Sequence, residues 1–239
     1  MTSRNIDTVL NTFQMLVDKK GDNTSKNIDD TLEAILKNGV MPEPGVLAGK
    51  EYHGYSTWWV TQPLKMVKFI KGFVRLDQSL VGRENPGVGV YNVQTETNEL
   101  SGPWIPKRGK DGQRVHFGYG DVYAAEEDLY DNLYKNSLLI HYGLNPANSK
   151  HPVRNFRDYI VCAVGDNSSV LVGKSYTVLG PEKVIPVQFM DLPEVGSYIA
   201  NGALRFMPNY FVLIQAGKSD LKMKRYFSNY EQTTRKVRK

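Results

Sequence analysis

From Leu47 onward the sequence keeps one rhythm: short apolar or aromatic runs broken by turn residues. The runs are EYHGYSTW, VKFIKGFVRL, GVGVYNVQT, RVHFGYGDVYA, SLLIHYG, RDYIVCAVG, SVLVGKSYTVLG, VIPVQFM and YFVLIQA. Between them lie ENPG, TNELSGP, KRGKDGQ, LNPANSK and GDNSS, rich in residues that fix φ or tolerate a left-handed backbone. Strand candidates at this spacing read as an antiparallel sandwich or barrel, and closure into a barrel would remove exposed strand edges. GDNSS is the clearest hairpin. EEDLYDNLYKN reads as a turn of helix or a long loop, and residues 192–209 as an insertion before the last strand.

The first 45 residues follow a different period. Ile6, Val9, Leu10, Phe13, Leu16 and Val17 fall on one helical stripe, and Lys19, Lys20 and Gly21 finish it. A second helix, about residues 29–37, turns Leu32, Ile35 and Leu36 to one side, closed by Asn38-Gly39. MPEPG then forbids further helix. The chain therefore divides into a helical segment (1–45), a β domain (46–217) and a basic tail (218–239).

Location of charge matters more than its sum. The net charge is +5, but residues 218–239 hold eight Lys/Arg against Asp220 and Glu231, leaving the rest at −1. A near-neutral body argues against nucleic acid, which asks for a basic folded surface. The tail itself, mixing Lys/Arg with Tyr and Phe, suits weak contact with a membrane surface or RNA, or else is a solvated terminus. The single Cys162 excludes an internal disulfide, no Cys/His cluster offers a metal site, and no cofactor motif stands out. No apolar run approaches the roughly 18 residues of a membrane span, and the N-terminus has no secretory pattern, so the expected setting is cytoplasmic.

The stretch Leu47-Ala48-Gly49-Lys50-Glu51-Tyr52-His53-Gly54, just after a short helix, resembles the opening strand of lipocalin-like (calycin) barrels. Those begin with a glycine and an aromatic that closes the barrel floor, and many carry a second glycine. Here the aromatic is Tyr52, three positions past Gly49, where a tryptophan two positions on is usual. The resemblance implies a mainly β chain, an antiparallel barrel after a short two-helix N-terminal segment, enclosing a small hydrophobic molecule.

Two strands carry cations where a core is expected. In VKFIKGFVRL, Phe69, Lys71, Phe73 and Arg75 share one face, and Ile70, Gly72, Val74 and Leu76 the other. Either the second face is core and the cations are solvated, or Lys71 or Arg75 meets a ligand's polar head between aromatic walls. In SVLVGKSYTVLG, Lys174 interrupts the face of Val170, Val172, Tyr176 and Val178, a costly place unless it reaches water, an acid or a ligand. The opposite face, with Leu171, Gly173 and Ser175, can equally be the core.

Among the four histidines, His141 sits in the most apolar strand and is the candidate general base, with Tyr142 or Tyr119 as partner; a purely structural histidine is the competing reading. If EEDLYDNLYKN is a hairpin centred near Tyr130, His141 faces Gly120, and His116 lies about 13 Å along the strand, too far to share a metal. His53 follows the glycine–aromatic pair and can reach a barrel interior. Trp58 and Trp104 are candidate ligand walls, beside the ordinary use of aromatics in β cores. Two functions follow: binding of a small hydrophobic or amphipathic ligand in a barrel cavity through Lys174, Lys71, Arg75, Tyr176, His53, Trp58 and Trp104, or an isomerase, cyclase or hydrolase in the same cavity using His141, Tyr142 and Tyr119.

Overall fold

A computed structural model describes residues 24–56, 67–76, 87–97, 103–128, 131–179, 198–200 and 203–218. The helix expected over residues 5–20, Trp58, the strand expected at VIPVQFM and the tail beyond Lys218 lie outside the described residues. Two short helices come first: α1 (Thr24–Asn38) and α2 (Pro44–Leu47), the latter opened by a proline in its first turn. The strands are β1 (Lys50–Ser56), β2 (Lys68–Arg75), β3 (Val88–Gln94), β4 (His116–Ala124), β5 (Leu138–His141), β6 (Phe156–Val164), β7 (Asn167–Leu179), β8 (Tyr198–Ala200) and β9 (Ala203–Lys218).

Each of β1 to β7 pairs antiparallel with the next, β7 pairs with β9, and β9 returns to β1. Eight strands therefore close on themselves, and β8 lies outside the ring, paired among the described residues to the start of β9. Of the sandwich and the barrel that the alternating runs left open, this is the antiparallel barrel, which leaves β1 and β9 without a free edge. The β6–β7 hairpin turns at GDNSS, with Val164 opposite Asn167 and Gly165 at φ +51°. Gly49, at φ +85°, makes the left-handed turn from α2 into β1.

One apolar cluster draws on all eight barrel strands: Tyr52, Phe69, Phe73, Val88, Val90, Val122, Leu138, Ile140, Ile160, Cys162, Leu171, Phe211 and Leu213 belong to it, capped by Leu47 of α2. It lines the interior. Tyr52 is fully buried, its ring edge-on to Phe73 at 5.5 Å and its hydroxyl donating to the Ser168 carbonyl at 3.0 Å. It seals the end where α2 sits.

The outer wall is buried too, in two places. Leu32 and Leu36 of α1 pack over Tyr159, Val161, Val170 and Val172 on β6 and β7. Asn136 caps that helix, its amide donating to the carbonyls of Leu36, Lys37 and Gly39. Ile70, Val74, Tyr91 and Val93 form a second external cluster, covered by Trp104 and Tyr119. Both faces of β2 are thus buried, so the choice between its faces was not a choice between core and solvent. The Phe69–Lys71–Phe73 face points inward.

Candidate functional site

Away from the end sealed by Tyr52, the interior holds a cavity of about 50 Å³ lined by Phe69, Phe117, Phe156, Phe211 and Val153 as walls, with Lys71, Tyr142, Asp158 and Asn92 as its polar side. Ser56, Ser175 and Asn209 add further polar atoms at the rim, where Asn209 donates to the Ser56 hydroxyl. At roughly 10–15 Å³ per water-sized site, this volume takes about four heavy atoms.

At its centre is a closed triangle of hydrogen bonds. The Lys71 ammonium donates to the Tyr142 hydroxyl at 2.6 Å and to Asp158 Oδ2 at 3.0 Å, and the Tyr142 hydroxyl donates to the same oxygen at 2.7 Å. Lys71 is 1% exposed and Asp158 5%. The rings of Phe69, Phe211 and Tyr142 stand 5.6, 5.3 and 5.3 Å from the Lys71 nitrogen, a three-sided aromatic box around the cation. Burial pushes the Lys71 amine below its ordinary range, against the opposing pull of Asp158. Burial, then the Asp158 charge, holds the Tyr142 phenol well above its ordinary value, so it stays protonated.

Local sequence explains how so much fits. Gly54 on β1 and Gly173 on β7 face inward, and a Cβ at either would overlap the ring of Phe69 or Phe211 respectively. The two rings lie on bare backbone and meet edge to face at 6.1 Å. A register shift between β3 and β4, with Gly118 at φ +58°, brings the Gly118 carbonyl to the Asn92 amide at 3.1 Å. Asn92 also reaches the Tyr142 hydroxyl at 3.4 Å. Val153 arrives from the segment between β5 and β6, three short 3₁₀ turns. Each opens with a side chain, His141, Asn145 or His151, accepting a backbone N–H.

Among the described candidates for ligand binding or catalysis, Lys71 and Tyr142 meet at this cavity. Lys174 faces outward and lies under α1, donating to Glu33 Oε2 at 2.7 Å and to the Tyr134 hydroxyl at 3.0 Å. Tyr176 sits beside it, its hydroxyl 3.3 Å from that of Tyr134. The acid that satisfies Lys174 is on a helix, and no ligand is required. Arg75 is exposed at the end sealed by Tyr52. His53 and Trp104 stack at 4.5 Å on the outer face of β1, with the Lys68 nitrogen 4.5 Å over the indole. Tyr119 belongs to the outer cluster over β2 and β3.

His141 is separated from Tyr142 by the barrel wall. Its Nδ1 accepts the Leu144 N–H at 3.2 Å, a cap that needs the neutral ring, and burial followed by the Arg157 charge lowers its pKa to about 4. The histidine is thus a structural cap, and it faces Asp121 across β4, one residue from the expected register. Donor atoms of Asp128, Asp131 and His141 lie within 4.8 Å of one another, a grouping the sequence spacing did not suggest. Arg157 Nε already holds Asp131 at 2.9 Å, supplying the positive charge a metal would bring. Asp158, Asn92, Ser175 and Asn209 were missed. Their signal was strand alternation alone, which sets Asp158 on the face opposite Arg157 without saying which face is inside.

Fold and site together define an eight-stranded antiparallel barrel with a buried lysine–aspartate–tyrosine triangle at one end of its interior. No family model matches the chain and no curated protein matches it. Among the described residues, no helix is long and apolar enough to cross a membrane.

Proposed function

We propose that the barrel binds a small amphipathic molecule, its polar group against Lys71, Tyr142 and Asp158 and its apolar part among Phe69, Phe117, Phe156 and Phe211. The observation that carries this is a buried ion pair turned toward a cavity. Desolvating two charges costs several kcal/mol per ion, and an apolar pair of similar volume would serve a purely structural core at least as well. The opening strand's likeness to calycin barrels, which hold guests in the same place, points the same way. A reducing, cytoplasmic setting suits the single buried thiol of Cys162.

The triangle also sets the guest's charge. Asp158 already neutralises Lys71, so a carboxylate or phosphate would have to displace it and would meet its repulsion. A neutral carbonyl, hydroxyl or amide fits without that conflict. With room for about four heavy atoms, the guest is short, or is the tip of a longer molecule.

Native mass spectrometry of the purified full-length chain tests the reading, followed by titration with propan-1-ol and propionamide under observation of aromatic side-chain NMR signals. The expected result is a saturable shift of the Phe69, Phe211 and Tyr142 resonances, lost in Lys71→Met. A native protein that neither carries a guest nor responds to either compound would overturn it. An isomerase, cyclase or hydrolase reading would have to run on the Lys71 triangle, because the wall divides His141 from Tyr142.

A further inference from the structure

We propose that Lys71 is a carbonyl-capturing amine, which condenses reversibly with a short aldehyde or ketone in the cavity to form an imine. This rests on the binding reading above and names the substrate class of the same site.

Three features of geometry support it. The Lys71 nitrogen is in direct contact with a carboxylate that can take its proton and with a phenol that can give one, at 3.0 and 2.6 Å. Phenol and carboxylate are themselves bonded at 2.7 Å, so a proton can pass between them without leaving the triangle. The aromatic walls leave a cavity of about 50 Å³, the scale of a three-carbon carbonyl compound. Burial that weakens the ammonium, and keeps the phenol protonated, works in the same direction.

The step balances within these groups. Lys71 passes one proton to Asp158, and the freed lone pair forms the N–C bond while the carbonyl π pair moves to oxygen. Tyr142 protonates that oxygen and is refilled by Asp158. Asp158 then removes one proton from the new ammonium, Tyr142 protonates the hydroxyl as it leaves, and Asp158 refills Tyr142. The sum converts carbonyl compound plus ammonium into protonated imine plus one water, with Asp158 again a carboxylate beside the positive nitrogen. No oxidant or reductant is consumed.

The test is reductive trapping. Full-length protein is incubated at neutral pH with a slight excess of propanal and sodium cyanoborohydride, and the adduct is located by peptide mapping. The expected result is one propyl adduct at Lys71, formed faster than at surface lysines, which lack the adjoining carboxylate–phenol pair and the cavity. Tyr142→Phe is expected to slow labelling of Lys71 about a hundredfold, the low end of what a positioned proton donor supplies, with surface labelling unchanged. Labelling confined to surface lysines and the N-terminus in folded wild-type protein would overturn the inference. If propan-1-ol and propionamide still bind in that case, the binding reading stands alone. If neither they nor propanal bind, both fall.

Discussion

Lys71 and Asp158 lie 87 positions apart in sequence and 3.0 Å apart in the barrel. Each neutralises the other, and both are buried. Replacing Asp158 with Asn strands a buried ammonium, and the stability to urea is expected to fall by about 3–5 kcal/mol. The double variant Lys71→Met, Asp158→Leu removes both charges and is expected to recover most of that loss. A double variant as unstable as Asp158→Asn would show that packing at these positions, and not charge, sets the cost. At this scale the sequence was half legible. Strand alternation set Lys71 between Phe69 and Phe73, where it is found. It could not find Asp158, because a partner four strands away depends on closure and register, which no local pattern encodes. Lys174 misled for the complementary reason: its apolar surroundings were real, but they were the outside of the wall.

Helix α1 supplies what that outer face lacks. Glu33 receives Lys174 at 2.7 Å, the Tyr210 hydroxyl at 2.6 Å and the Tyr134 hydroxyl at 3.0 Å, while Lys37 stands 3.3 Å away. Burial is the largest single influence and raises the carboxyl's pKa. The bonds from Lys174, Tyr210 and Tyr134 and the Lys174 charge together outweigh it and hold the pKa at about 2, against 4.5 ordinarily. The sign follows from linkage: a depressed carboxyl contributes its stability above pH 4.5 and loses it as pH falls toward 2. Discounted for the fifth of the side chain still exposed, that contribution is on the order of 2 kcal/mol. Denaturant titrations from pH 6 to pH 2 are expected to lose this increment in wild type, and Glu33→Gln is expected to be less stable at pH 6 and flatter below pH 4.5. Equal slopes for the two proteins would remove Glu33 as the source. The helix itself was legible from Leu32, Ile35 and Leu36, and its docking place was not. The stripe says that a face must be covered, and says nothing of which strands do so.

For the whole molecule, closure of β9 on β1 is the decisive event, since it joins strands some 160 residues apart. The spacing of turn residues revealed the strands, and the glycine–aromatic start hinted at a barrel. The ring could not be told from a sandwich by periodicity, because both bury one face of each strand. A closed ring has no fraying edge, so the amides of Tyr52 on β1 and Val212 on β9 are expected to exchange as slowly as those of Val161 and Val172 in the β6–β7 hairpin. Native-state hydrogen exchange measures this, and protection lower by about tenfold or more at β1 and β9 would contradict a closed ring. The two inward glycines carry a consequence for how such a chamber could change hands. With Phe69 and Phe211 resting on naked peptide planes, trimming either ring to Ala opens depth down to bare backbone. The size of the chamber is therefore adjustable at a single codon, while every ladder bond of the wall stays where it is.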